Sequence, residues 1–253
     1  MDAVSPYGYP GFRVIDDGMT HATINWSSLP LVSIFVRDRV GATPTIPGGT
    51  DRAEVCVIDP AIPNRFREDH RRNINRNVRQ GFYTVTVPGK DVSHTQLAGF
   101  EHAYHETMIR DSASQRYFFS SEYFRTVLSS PLAWLVLTYA PGGSIASASI
   151  AVQSDDYLHY YLAGTLDAYV RTSPGKNTIK GMASLSSDLS LPLHLGAGVY
   201  AGDSLEMFKR GFSNRTTTYY THEIVCDSVA YAELCDGNAT SDFFPAYRAP
   251  HAK

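Results

Sequence analysis

Apolar positions change period several times along this chain, and each change marks an element. From Ser93 the residues Leu97, Phe100, Tyr104 and Met108 recur every three or four positions, the stripe of a long helix that must pack on something. His94, His102 and His105 lie off that stripe and are expected to face solvent. A second helix is predicted from Ser120 or Ser121, carrying Tyr123, Phe124, Val127 and Leu128. The period then shortens. Leu132 to Ala140, Ser144 to Gln153 and Tyr157 to Thr165 read as three strands, joined by turns at Pro141-Gly142-Gly143 and Ser154-Asp155-Asp156. Ser173-Pro174-Gly175 opens another helix, with Ile179, Met182, Leu185 and Leu189 on one face.

The stretch from Leu191 to Ser213 organises the rest of the chain around it. Leu191, Leu193 and Leu195 alternate as in a short strand, and Gly196-Ala197-Gly198 frees the backbone to turn. Asp203 can cap a short helix, with Glu206 three residues on as in a capping box and Gly211 as its stop. Phe208 is expected to pack inward. Lys209 and Arg210 are then held at the end of a short rigid element, a common way to place a cation beside a cleft, or equally a solvated pair. TTTYYTHEIVC then reads as a strand, Ala230 to Leu234 as a short helix, and the last dozen residues as a loosely held tail.

The first 92 residues are less regular. Residues 1 to 12 read as a glycine- and proline-shaped loop presenting Tyr7 and Tyr9, able to stack on a ligand or simply to pack as a turn. Ile24 to Val36 holds two apolar runs read as strand material, and Ala53 to Ile58 and Phe82 to Val87 read as strands. Between them, residues 64 to 82 form a basic helix ended by Gly81. Arg72, Arg76 and Arg79 fall at i, i+4 and i+7 on one face, suited to bidentate contact with phosphates or to plain solvation.

Composition narrows the function classes. A formal charge of −3 over 253 residues argues against a broad nucleic-acid surface and leaves room for a local basic patch. The three cysteines lack CxxC spacing and read as small buried hydrophobes in a reducing compartment. The nine histidines offer no HExxH pattern, so no metal is expected. No 18-residue apolar run is present, and Asp2 after Met1 does not resemble a signal peptide; a soluble cytoplasmic protein is expected. No nucleophile–histidine arrangement can be argued from spacing.

Four segments taken in order resemble the FemX/FemAB group of GNAT-like peptidyltransferases: PYGYPG (Pro6 to Gly11), RNVRQG (Arg76 to Gly81), YYLAGT with the later SPGK (Tyr160 to Lys176), and LHLGAGVYAGDSLEMFKRGFS (Leu193 to Ser213). The element order over residues 93 to 235 is also similar to a GNAT-like domain with an open V between central strands. The resemblance implies an α+β fold, a GNAT-like mixed sheet flanked by helices, with residues 93–253 as the main half and residues 1–92 as a smaller, incomplete GNAT-like half. It implies an aminoacyltransferase that moves an aminoacyl group, alanyl being one choice, from aminoacyl-tRNA to an amine of a peptidyl or nucleoside-peptide acceptor, with a carrier protein as one way of presenting that acceptor. No cofactor, membrane or DNA is implied. Phe208 and Lys209 match the pair that stabilises charge at the carbonyl and on the leaving tRNA. The substrate-binding residues it implies are Tyr7, Tyr9, Arg76, Arg79, Arg116, Tyr117, Tyr160 and Tyr161. The family's N-terminal phosphate-binding lysine has no counterpart, so the chain reads as a shortened member, similar to the alanyl-tRNA-using transferases of pacidamycin-type uridyl-peptide antibiotic assembly.

Two other classes stay open. An acyl-CoA-dependent N-acyltransferase would share the fold, but the Q/R-x-x-G-x-G/A phosphate loop is missing; Lys176 to Ala183 offers only Gly181. A non-catalytic binding module would keep the tyrosine-rich cleft without needing Lys209.

Overall fold

The computed structural model describes residues 1–6, 8–12, 24–44, 46–198, 202–235 and 243–249. It divides into two compact units, Val55–Thr216 and Met1–Glu54 with Thr217–Lys253.

The larger unit is built on a mixed sheet. Its strands are the end of β3 (Thr50–Ile58), β4 (Tyr83–Pro88), β5 (Ala133–Tyr139), β6 (Ile145–Ser154), β7 (Tyr157–Thr165) and β8 (Leu193–Gly196), in the spatial order β3-β8-β7-β6-β5-β4. The β5-β6-β7 meander expected from the alternation is present, each pair antiparallel. Helix α2 (His94–Arg110) starts on a complete capping box, Ser93 with Gln96. With α3 (Ser121–Leu128) it covers one face, where Leu97, Phe100, Tyr104 and Phe124 pack on Leu135, Leu137, Ile150 and Leu162. Gly164 lets α2 approach β7, since a Cβ there would lie 2.4 Å from the Ala103 carbonyl group. Helices α1 (Glu68–Arg79) and α4 (Gly175–Leu189) belong to the other core, where Ile74, Ile179, Met182 and Leu185 meet Cys56, Val136, Leu158, Leu193 and Leu195.

Two features of β7 shape the site. A bulge skips Tyr161 between the rungs Ile150↔Leu162 and Ala151↔Tyr160. Tyr160 packs against the α1/α4 core and Tyr161 against the α2/α3 core as alternation requires, and the extra residue leaves Leu162 on the same core as Tyr161. The parallel pairing of β7 with β8 runs through only Leu158↔Leu193 and His159↔His194. Beyond those rungs the strands part, giving the open V that the element order implied. Helix α5 (Ser204–Arg210) follows β8.

In the smaller unit, β1 (Asp2–Val4) lies parallel to β2 (Ser33–Arg37), which pairs antiparallel with β9 (Arg215–Val225). Three expectations are corrected here. The first dozen residues are not all loop, because β2 gives Asp2–Val4 a strand to pair with. Trp26–Ser28 is a 3-10 turn rather than strand, with the Asn25 carbonyl accepting from the Ser28 hydroxyl. The described part of the tail, residues 243–249, is held: Phe244 stacks on Tyr231, the Tyr247 hydroxyl pairs with Asp2, and Arg248 Nε donates to Asp2 at 2.5 Å. Aromatic packing outweighs the local effect of its prolines. Helix α6 (Ser228–Cys235) completes the unit, and all three cysteines of the chain are free and buried.

Candidate active site

The site is built at the mouth of the V. β8 ends at Gly196, whose φ of +80° a side chain would strain. A Cβ there would also stand 3.2 Å from Lys209 Nζ. The α5 cap forms as the sequence suggested, Asp203 accepting from the Glu206 N–H at 2.7 Å, but the capping box does not close: the Glu206 carboxylate accepts from the Gly202 N–H at 2.7 Å, one residue before the cap. Arg210 Nε donates to Glu206 at 2.6 Å. These bonds hold the Glu206 carboxyl below its ordinary value, the Gly202 N–H contributing most.

Lys209 is only 8% exposed, and its ammonium donates to the Ala197 carbonyl at 2.7 Å. An ammonium has three donors, so two remain for another group. Burial lowers its pKa to about 8, so it stays mostly charged at neutral pH. Asp203 and Glu206 stand as acidic groups near it, while Cys56 and His194 are held neutral. Burial pushes the Cys56 thiol up, leaving it a poor nucleophile. Burial, helped by the charges of His159 and Lys209, keeps His194 well below the ordinary histidine value. Burial also raises the Tyr160 phenol to about 12. A fixed cation in a dry cleft is an arrangement that stabilises a developing oxyanion.

Phe208 packs inward as expected, edge-on to Phe212 at 5.3 Å and tilted on His70 at 5.4 Å. Tyr160 and Phe208 both pack against the α1/α4 core, and of these two Phe208 is the one beside Lys209 on α5. Arg76 and Arg79 are exposed on α1; Arg76 Nη2 donates to the Thr172 carbonyl at 3.2 Å. Arg79 and the nearby exposed Arg171 have no ion-pair partner among the described residues. Tyr161, Tyr117 and Arg116 belong to the opposite side of the sheet. The Tyr161 hydroxyl pairs with that of Tyr123, and Arg116 stands over the Tyr117 ring at 4.9 Å. His105, expected in solvent, is half-buried against Phe118. Tyr9 sits in the smaller unit, edge-on to Tyr219 at 4.9 Å. Tyr7 lies outside the described residues.

Sequence reasoning missed His70 and His194, while Cys56 is the small buried hydrophobe it expected. A signal for His70 existed. His70, Ile74 and Asn77 are the buried positions of α1, at i, i+4 and i+7, on the face its arginines leave free.

The fold now has named counterparts. The acetyltransferase (GNAT) domain model matches residues 64–191, half of the chain. The chain belongs to the GNAT acetyltransferase domain family. Among solved structures, this GNAT domain is similar to FemX at a TM-score of 0.56 and 9% identity, covering 79% of this chain and 68% of FemX. It is similar to L-PGS from Bacillus licheniformis at 0.52 and 12% identity, covering 71% of this chain and 62% of that one. A third is the C-terminal domain of a putative lysylphosphatidylglycerol synthetase from Agrobacterium fabrum, at 0.54 and 13% identity, covering 73% and 63%. At such identities the likeness is one of fold, and the chain spans less than two thirds of the length of the latter two. No curated protein matches the sequence.

Proposed function

We propose that this GNAT domain transfers an aminoacyl group from aminoacyl-tRNA to the amine of a peptidyl or nucleoside-peptide acceptor. The observation that carries the reading is Lys209: a buried ammonium, fixed on Ala197, beside the parting of β7 and β8, with the neighbouring Cys56 thiol held protonated by burial. The acceptor amine, once neutral, attacks the ester carbonyl. Negative charge grows on that carbonyl oxygen and then on the departing ribose oxygen, and the two unused donors of Lys209 face it. The amine gives up its proton, and the ribose oxygen takes one as the amide forms. Phe208 anchors the helix that holds the cation. Tyr160 keeps its proton and would offer a neutral hydroxyl, while Arg116, Tyr117 and Tyr161, across the sheet from Lys209, have no part in this step.

The exposed Arg76 and Arg79, joined by Arg171, would meet tRNA phosphates near the acceptor end. Charged tRNA is a cytoplasmic donor, and the protein is placed there on this reading; among the described residues no helix is long and apolar enough to cross a membrane. A nucleoside-peptide acceptor on a carrier protein, as in uridyl-peptide assembly, is one acceptor class to test.

A second reading is acyl transfer from CoA, favoured by the family itself. Incubation with radiolabelled aminoacyl-tRNAs, and separately with acyl-CoAs, against a panel of amines separates the two. The proposal expects transfer that RNase abolishes. Transfer that survives RNase and needs only acyl-CoA overturns it.

A further inference from the structure

The first turn of α1 is clamped onto α5 by contacts that no role assigned so far requires. The Arg67 N–H donates to the Gly211 carbonyl at 2.7 Å, and the Arg67 guanidinium donates to the Met207 carbonyl at 3.1 Å. The same guanidinium pairs with Asp69 at 2.5 Å and donates to His70 Nε2 at 3.1 Å. A guanidinium cannot accept, so Nε2 is the acceptor and the proton of this neutral ring sits on Nδ1. Burial, with the charges of Lys176 and Arg67 against it, lowers the His70 pKa to about 4. Lys176 on α4 closes the set by reaching Asp69 at 3.4 Å.

The His70 ring is fully buried and fills the space under α5. It lies 4.2 Å from the Phe212 ring and 5.4 Å from Phe208, the two aromatic anchors on either side of Lys209. At its edge is Gly211, where a Cβ would come within 2.4 Å of the ring carbon Cε1. Backbone and ring are therefore fitted to each other, and a shift of the ring has nowhere to go but into the turn that ends α5. The Nδ1–H has no hydrogen-bond partner among the described residues, a cost that plain packing would not select.

We propose that His70 is a positioning residue for the Phe208–Lys209 pair: locked by Arg67 against Gly211, its ring sets where α5 presents the Lys209 ammonium to the cleft. The effect on turnover rests on the reading of Lys209 given above; the effect on Lys209 itself does not. A misplacement of about 1 Å in such a group can cost on the order of a hundredfold in rate.

The test uses the full chain with His70→Ala, His70→Gln, Gly211→Ala and the double variant His70→Ala/Gly211→Ala. The first readout is the apparent pKa of Lys209, from the pH dependence of its acylation by acetic anhydride, resolved by peptide mass spectrometry. Cys56, His194, Asp203, Glu206 and Arg210 surround Lys209 and are unchanged in every variant. In the native protein the value should lie at about 8. His70→Ala and Gly211→Ala should each move it up toward 10.5, as α5 loosens and the ammonium regains water. His70→Gln offers Arg67 an acceptor near the Nε2 position and should stay close to native. The double variant should recover, because the new Cβ at 211 occupies space the ring has left. The second readout is transfer turnover, expected to fall roughly tenfold to a hundredfold in the two single variants with acceptor KM little changed. A native Lys209 value in folded His70→Ala and Gly211→Ala proteins overturns the proposal. A moved value with unchanged turnover upholds the positioning and removes Lys209 from catalysis instead. Should His70→Ala not fold, Gly211→Ala and His70→Gln still decide.

Discussion

Replacing Lys209 by Met should make the protein more stable at neutral pH and less stable in strong alkali. Methionine keeps an unbranched apolar stem and removes the charge. In the folded protein burial lowers the lysine from 10.5 to about 8, and a difference of that size corresponds to roughly 3 kcal/mol. The sign comes from where the proton sits. Below pH 8 both folded and unfolded chains carry the charge, and the folded chain bears the full cost. Between pH 8 and 10.5 the unfolded chain binds a proton that the folded one does not, so native stability rises with pH. Methionine escapes this cost but leaves the Ala197 carbonyl without its donor, a loss of about 1 kcal/mol. The variant should therefore be about 2 kcal/mol more stable at about pH 7, level near about pH 10, and up to about 1 kcal/mol less stable beyond it.

Urea unfolding of both proteins across that range measures the difference directly, since other groups titrate alike in both and cancel. A Lys209→Met protein that is less stable than native at neutral pH, by an amount that does not change with pH, would refute the reasoning. It would mean that water solvates the ammonium and that the cleft is not dry. A stabilised but inactive variant is the pattern expected where a site holds an uncomfortable charge for chemistry. The native enzyme should also lose turnover as pH rises through about 8, because the cation that stabilises the oxyanion is then neutralised.

Other outcomes depend on single contacts. Changing Arg79 and Arg171 to Ala should flatten the salt dependence of tRNA binding by about 0.7–0.9 in log–log slope for each phosphate no longer neutralised, measured by filter binding; an unchanged slope assigns both to solvated surface. Gly164→Ala drives a Cβ into the Ala103 carbonyl and should cost about 3 kcal/mol or more, seen as a large fall in Tm. For His70, neutral in the folded protein down to about pH 4, native stability should be lost progressively as pH falls below 6.5, by roughly 2–3 kcal/mol. His70→Gln should remove that part of the acid profile in urea titrations.

How much could be read from the sequence was set by what local pattern can encode. The meander, α2, α4 and α5 announce themselves through period and caps, and the structure places Ser93 and Asp203 as caps where the pattern put them. Strand β1 could not be read, because three residues become a strand only when β2 lies beside them. The shared face of Tyr161 and Leu162 was hidden for a related reason. Strict alternation sends Tyr160 and Tyr161 to opposite faces, but whether the strand keeps its register beyond residue 161 depends on pairing with β6, and the bulge there turns the strand's far end to the other core. Lys209 could be singled out, yet its meaning could not. A lysine at a helix end is ordinary until its ammonium is found buried on Ala197 at the parting of two strands. His70 shows the limit most clearly. In the sequence it stands among arginines on the most polar helix of the chain, and only the inward stripe it shares with Ile74 and Asn77 marks it. Its partners Arg67, Gly211 and Phe212 come from its own turn and from a segment some 140 residues away, and Gly211 doubles as an ordinary helix stop. Long-range fits of this kind leave no spacing to read, because each residue satisfies a local rule as well. The glycine that ends α5 and the glycine that receives the histidine ring are the same residue, and only the second duty forbids every side chain there.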